Sequence, residues 1–421
     1  MKRLLERRRR HGALGLGLLV LSLLPLLGGR AGAQVLDLDL GTNVYLEPSK
    51  TSNLTVINPS VGITGHIGDV VSIDAHYEAD IVSGATESIK GGRLATVDIV
   101  SSATKFDDVR HVASGGVAIT RENTNLAVSY SYGTESDYRS QAFAVTAGTN
   151  FFQKNTEILL SYARGFDKVC TTAFAQSDAP SVRSPLDASD GCFTSDDGRA
   201  ERDVSLDNFQ AGWTQAWTPV LATQLVLTGA LQHGFLENPY RAVVIAPAGD
   251  QALENHPDNR ARAAMALRGR LYVRPIQVAF SAGARYYLDT WDIFGQNYEI
   301  AAERYLFEGL RIQARGSYYT QTAALFYSDD YTGGEPIDGP NGQYWTGDRE
   351  LSALHNLQYG GRLIYAKRAT RDARFLGIFL GLTATAAFDV IDTSLDRFTW
   401  GGKAPDDTLG MLLSLGLKSE F

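Results

Sequence analysis

Apolar and polar side chains alternate along most of this chain with a period of two residues. Between positions 70 and 81, Val71, Ile73, Ala75, Tyr77, Ala79 and Ile81 occupy one face, and Ser72, Asp74, His76, Glu78 and Asp80 occupy the other. Successive side chains of an extended strand point to opposite sides, so the pattern predicts a strand with one apolar and one wetted side. The last residues repeat it, with Leu409, Met411, Leu413, Leu415, Leu417 and the terminal Phe421 set against Gly410, Ser414, Gly416, Lys418 and Glu420. Segments of this kind predict strands near 35–45, 54–66, 70–81, 109–120, 125–135, 138–149, 156–166, 203–217, 223–234, 260–273, 277–289, 293–305, 310–319, 351–365, 374–389 and 407–421, sixteen in all. Such lengths suit the nine to eleven residues or so that a tilted strand needs to cross a bilayer.

The connections alternate in length. Short ones are predicted at 67–69, 121–124, 151–155, 218–222, 274–276, 306–309 and 366–373, and long ones, rich in Gly, Pro, Asp and Ser, at 82–108, 167–202, 235–259, 320–350 and 390–406. The long ones all fall on one side of the strand array and both termini on the other, as in bacterial outer-membrane barrels. Aromatic pairs near strand ends (Tyr130 and Tyr132, Trp213 and Trp217, Tyr286 and Trp291, Tyr318 and Tyr319) stand where girdles of rings meet the membrane interfaces. Past the N-terminal region no segment stays apolar for the ~18 residues that a spanning helix needs. The expected fold is therefore all-β, a closed antiparallel transmembrane β-barrel of about sixteen strands with short periplasmic turns and long external loops. A soluble β-sandwich or solenoid also uses many short strands. Against it stand the strand lengths, the one-sided loops and the lack of a fixed repeat period.

The first residues follow a different logic. A basic head (Lys2, Arg3 and Arg7 to Arg10) leads into the apolar run Ala13–Leu27 and ends in Ala31-Gly32-Ala33. That is the layout of a secretory signal peptide cleaved before Gln34. Two parts are expected, a signal peptide at 1–33 and an outer-membrane barrel domain at 34–421, with membrane lipid as its surroundings. Residues 1–33 hold seven of the 39 basic residues and one of the 47 acidic ones, which leaves 32 against 46, or −14, for the rest. Such a chain has no cationic surplus to neutralise phosphates, so nucleic acid is not an expected partner.

The only two cysteines, Cys170 and Cys192, lie in one polar stretch, and export into an oxidising compartment predicts a disulfide between them. Closing that loop is worth about 3 kcal/mol on loop entropy. Two thiols 22 positions apart with no histidine between them make at best half a zinc site.

If the apolar faces meet lipid, the opposite faces line the lumen. Asp37, Asp39, Asp74, His76, Glu78 and Asp80 then form an acidic wall on the first three strands. Arg262, Arg268, Arg270, Arg285, Arg311 and Arg315 form a basic wall on the tenth to thirteenth, with Asp289, Glu299 and Glu303 interleaved. Opposed walls would set up a transverse field that orients polar solutes and selects them by charge. The alternative is that arginines and acids pair into a solvated network that stiffens the wall.

His76 between Asp74 and Glu78 invites a metal or proton-transfer role, but alternation makes it a wetted lumen residue. No GxSxG, HExxH or phosphate-binding glycine loop is present, so no enzyme activity, catalytic residue, metal or cofactor is expected. The acids Asp329, Asp330, Glu335, Asp338 and Asp348 match no calcium motif and predict a solvated loop.

Two resemblances extend this reading. The amphipathic last strand closing on Phe421 resembles the terminal signature of Gram-negative outer-membrane barrels, which implies recognition by the barrel assembly machinery. Asp80-Ile81-Val82-Ser83-Gly84-Ala85-Thr86, Glu135-Ser136-Asp137-Tyr138-Arg139-Ser140 and Arg285-Tyr286-Tyr287-Leu288-Asp289-Thr290-Trp291, in this order, resemble a porin-like Gram-negative outer-membrane family known only as a domain of unknown function. That family brings no catalytic residues. Its association with flavin-transferase and thioredoxin-like proteins implies at most an envelope redox or metal context. The expected work is porin-like passage of small polar solutes. The alternatives are a plugged barrel that docks a partner as a scaffold, and an outer-membrane hydrolase.

Overall fold

The computed structural model describes residues 36–48, 53–84, 99–100, 106–175, 178, 183–186, 199–245, 250–329, 344–368, 379–398 and 407–421. Sixteen strands close into one antiparallel barrel. They are β1 (Leu36–Pro48), β2 (Asn53–Ile67), β3 (Val71–Gly84), β4 (Phe106–Arg121), β5 (Thr124–Thr134), β6 (Tyr138–Phe151), β7 (Thr156–Thr172) and β8 (Arg199–Thr218). The second half comprises β9 (Leu221–Gly234), β10 (Asn259–Val273), β11 (Val278–Asp289), β12 (Phe294–Phe307), β13 (Leu310–Gln321), β14 (Leu354–Arg368), β15 (Gly381–Leu395) and β16 (Thr408–Glu420). Each pairs with its neighbours in sequence, and β1 pairs with β16 from Asp37↔Glu420 to Leu46↔Met411, so no sheet edge is left open.

All sixteen expected strands are present, with differences at their ends. The last turn of pairing on β7 and the first on β8 lie in what the sequence suggests is loop, because residues 167–172 and 199–202 are polar yet continue the ladder from Asp167↔Val204 to Thr172↔Arg199. Alternation tells a half-buried strand from a loop by its one apolar face, and it fails where both faces are covered, as at Val169, Cys170 and Thr171. The fifteenth strand is described over 381–395, its pairing with β16 beginning at Gly381↔Glu420, while residues 374–378 of the expected 374–389 lie outside the described residues.

The barrel is inside-out relative to a soluble protein. Large apolar side chains point outward around the whole circumference, among them Leu40, Ile73, Val117, Val128, Phe143, Leu160, Leu227, Leu267, Ile300, Ile312, Leu363, Phe388 and Leu415. The alternate positions, which carry nearly all the charge, point inward. Tyr130, Tyr132, Trp213, Trp217, Tyr286 and Tyr318 are exposed on the outer surface, as an interfacial girdle requires. Trp291 and Tyr319 depart from the expected girdle. Trp291 is buried, with the Arg260 guanidinium 3.9 Å from its ring centroid, and Tyr319 donates inward to Gln321 Oε1 at 2.6 Å.

The long connections pack on one another. Ile99–Val100, between β3 and β4, joins a small sheet with Ala242–Ile245 and Asp250–Leu253, both between β9 and β10. Asn255 and Trp345 exchange backbone hydrogen bonds at 3.0 and 2.9 Å, which ties that connection to the one between β13 and β14. Val243, Ala252, Trp345 and Phe398 then share a buried core that adds the connection after β15. A second core of Trp291, Ile293, Ala324, Phe326 and Leu351 seats the assembly on the ends of β11 to β14. Loops from well-separated parts of the wall are thus stitched together across the outer end.

Candidate functional site in the barrel lumen

On β1 and β3 the acids sit one residue in two on the inner face, and each finds a local partner or faces the lumen. Lys418 Nζ reaches Asp39 at 2.7 Å, His66 Nε2 lies 3.1 Å from Asp37, and Asn58 donates to Asp80 at 2.6 Å. His76 Nε2 is 3.7 Å from Glu78, with both side chains more than a third exposed. Asp74 has no hydrogen bond or ion pair among the described residues. Asp37, Asp39, Asp74 and His76 line a recess of ≈ 820 Å³ together with Arg311, Lys367, Arg368 and Lys418. Acidic and basic groups therefore meet in one recess at the end of the barrel that holds the termini. Among the described residues no three His, Cys, Asp or Glu side chains converge as a metal site requires.

Five arginines of β10 and β13 are neutralised by acids that strand register brings within reach. Arg268 stands opposite Gly283, and Gly283 stands opposite Glu299. With no side chain on the middle strand, Arg268 Nε reaches Glu299 Oε1 at 2.5 Å, and a Cβ on Gly283 would lie 2.7 Å from that oxygen. The arrangement recurs as Arg315↔Gly360↔Asp389, where Arg315 binds the fully buried Asp389 through Nε at 2.8 Å and also through Nη2. Glu303 serves two arginines, accepting from Arg270 at 2.9 Å and from Arg311 at 3.2 Å. Arg260 donates to Asp289, whose other bonds come from Tyr287 Oη and the amides of Trp291 and Ile293.

Two arginines of this wall stand outside the account. Arg262 and Arg285 have no ion pair among the described residues, and Arg262 Nε is buried without a hydrogen bond. Both line a recess of ≈ 380 Å³ with Asn208, Gln210 and Thr228.

A polar cluster that alternation did not single out lies where the loop assembly meets the inner wall. His256 Nε2 is 3.4 Å from Glu254 Oε2 with both side chains buried, and Glu237 accepts from the His256 amide at 3.2 Å. Burial pulls the His256 imidazolium down, but the Glu254 and Glu237 carboxylates outweigh it and hold the group above its ordinary value. Burial pushes Glu254 up, and His256 with Arg241 more than offsets it, so this carboxyl is held low. Burial alone dominates at Glu237, which is raised.

Arg241 forms an ion pair with Asp348, which corrects the expectation of a solvated acidic loop at that residue. Burial pushes Asp348 up to about 6. Of the other acids named there, Asp330, Glu335 and Asp338 lie outside the described residues. This cluster, with Arg110, Gln232 and Arg262 of the wall, borders a cavity of ≈ 550 Å³ beneath the loops.

The sequence motifs prove to be loop anchors. In Arg285–Trp291, Asp289 organises the tight turn before β12 and Trp291 carries the loop core onto Arg260. In Glu135–Ser140, Tyr138 donates to Asp167 and the Asp137 carbonyl accepts from the Cys170 amide at 2.9 Å. Cys170 is fully buried against Leu186, while its expected partner Cys192 lies outside the described residues, as do residues 1–33 and Ala85-Thr86. Phe421 donates its amide to Leu36 at 3.0 Å and packs on Phe379.

Residues 29–368 match the model of a family described as Protein of unknown function (DUF3570), and the chain belongs to that family. No curated protein matches the sequence. Among solved structures, the chain is similar to a bacterial polysaccharide outer membrane secretin at 10% identity and a TM-score of 0.47, covering 92% of this chain and 98% of that one. It is similar to OccD3 (OpdP) of Pseudomonas aeruginosa at 9% identity and a TM-score of 0.44, covering 94% and 92%. OprD of the same organism is similar at 9% identity and a TM-score of 0.43, covering 92% and 95%.

Proposed function

We propose that this DUF3570 barrel is an outer-membrane channel through which small polar solutes pass along a charged lumen. The observation that carries the reading is the inverted distribution of side chains, apolar outward on every part of the wall and charged inward. Water would not tolerate so continuous an apolar belt, whereas lipid hydrocarbon favours it. Sixteen strands also enclose a lumen wider than side chains alone can fill. Residues 1–33 direct export on this reading, Phe421 is the mark for barrel assembly, and Cys170 with Cys192 closes an external loop by a disulfide. No residue is assigned a catalytic role.

The stitched loops favour a second reading, in which the outer mouth is plugged and serves to dock a partner. Liposome swelling separates the two. Vesicles holding the purified barrel should swell in isotonic solutions of pentoses and hexoses at rates that fall with solute size. Rates equal to those of empty vesicles for every solute would reject the channel and leave the plugged barrel.

A further inference from the structure

We infer that the lumen contains an anion-binding recess built on Arg262 and Arg285, which takes the carboxylate of a small hydroxylated organic acid. The inference deepens the channel reading and rests on it for the route by which the solute arrives. Among the described residues, these two members of the basic wall have no carboxylate at ion-pair distance. Arg260, Arg268, Arg270, Arg311 and Arg315 each have a carboxylate at ion-pair distance, so their charge is already met within the wall.

Arg262 faces Asp289 across the β10–β11 ladder, yet the oxygens of Asp289 are held by Arg260, Tyr287 and the turn amides. A buried guanidinium nitrogen with no acceptor is costly, and a bound anion would satisfy it. Arg285 likewise has no acid to answer among the described residues.

Shape and lining point to the ligand class. Arg262 and Arg285 share the ≈ 380 Å³ recess, and Arg285 also borders the adjoining one of ≈ 450 Å³. Alanines at 163, 230 and 264 leave the space open. Two planar guanidinium forks match a carboxylate through paired hydrogen bonds. Asn208, Gln210 and Thr228 offer neutral donors and acceptors to the hydroxyls of the rest of the molecule.

The test is calorimetric titration of gluconate into the full-length barrel in detergent, with heat-modifiable migration on gels confirming the folded state. Saturable binding is expected, with glucose, of similar size and no charge, binding far more weakly. Arg262→Gln and Arg285→Gln should each weaken gluconate by roughly tenfold, the value of one charge-assisted hydrogen bond. Arg164→Gln, on the outer surface beside Phe166, should leave it unchanged. Arg285→Gln orphans no acid, so it carries the test if Arg262→Gln fails to fold. Absence of saturable binding to the folded barrel, equal binding of glucose, or undiminished binding in Arg285→Gln would overturn the inference. Conductance of the same sample is read separately. A barrel that binds gluconate but passes no current keeps the recess and loses the channel, and one that conducts without binding does the reverse.

Discussion

Glu303 is the place where the neutralised wall is most exposed to a single change. One of its oxygens accepts from Arg270 at 2.9 Å and from Arg311 at 3.2 Å, and its side chain is only 12% exposed. Unit charges at about 3 Å are worth roughly 1.4 kcal/mol in bulk water and about four times that at the effective dielectric of a protein surface. Arg270 is 56% exposed and Arg311 is 28% exposed, so solvent screening holds the first pair near the lower limit. About 1 kcal/mol for Arg270 and about 2 for Arg311 are reasonable shares.

Glu303→Gln should therefore destabilise the folded barrel by about 2–3 kcal/mol, while Arg270→Gln, which breaks one pair, should cost only about 1. The assay is equilibrium urea unfolding of the barrel reconstituted in lipid vesicles, followed by tryptophan fluorescence. In bilayers the same Glu303 variant should shift reversal potentials toward anions, because two arginines lose their shared carboxylate. A stability change below about 0.5 kcal/mol would refute the reasoning, since it would mean that solvent already screens these pairs.

Three further outcomes are expected. Leu267→Arg, in the middle of β10 and facing lipid, should cost about 2–4 kcal/mol of folding free energy, whereas Gln224→Arg, facing the lumen on the adjacent strand, should cost far less; equal costs would mean the faces are wrongly assigned. Gly360→Ala should be much worse than Gly283→Ala, by roughly 1–3 kcal/mol in the same unfolding assay, because its Cβ would meet the Phe388 carbonyl at 2.2 Å while the one on Gly283 meets only the movable end of Glu299.

The third outcome concerns pH. His256 is held above 6.5, so its stabilising contribution is full below that value and is lost as pH rises through its folded pKa. Glu254 is held below 4.5, so its contribution is full above that value and is lost as pH falls through its own folded pKa. Glu237 and Asp348, both raised by burial, also lose stabilising contribution as pH rises, so hydrogen exchange around 253–256 and 344–347, corrected for the intrinsic rate, should show strongest protection near pH 4.5 and weaker protection above. Protection that rises steadily toward alkaline pH would contradict the pair.

The barrel was legible in the sequence because its strands have one face in lipid and one in water, which writes a period of two into residues such as Leu409 to Phe421. Where that contrast fades the reading fails, and the ends of β7 and β8 look like loop. Alternation also placed Asp74 and Arg268 on the inner face without saying what they touch. Arg268 meets Glu299 across an intervening strand, and that depends on the register that puts Gly283 between them.

Trp291, expected on the girdle, and His256, not singled out, were misread for a related reason. Their surroundings come from connections distant in sequence, and short-range patterning carries no trace of the β9–β10 loop packing on the β13–β14 loop. Even so, the motif around Arg285–Trp291 marked the right place, since its Asp289 ties the wall to that loop assembly.

The central claim is a conducting lumen, and planar-bilayer recording with the purified, folded protein tests it most directly. Stepwise current increments on insertion are expected, with ion selectivity altered by Glu303→Gln. A folded barrel that inserts and passes no current at any voltage or salt concentration would contradict the account.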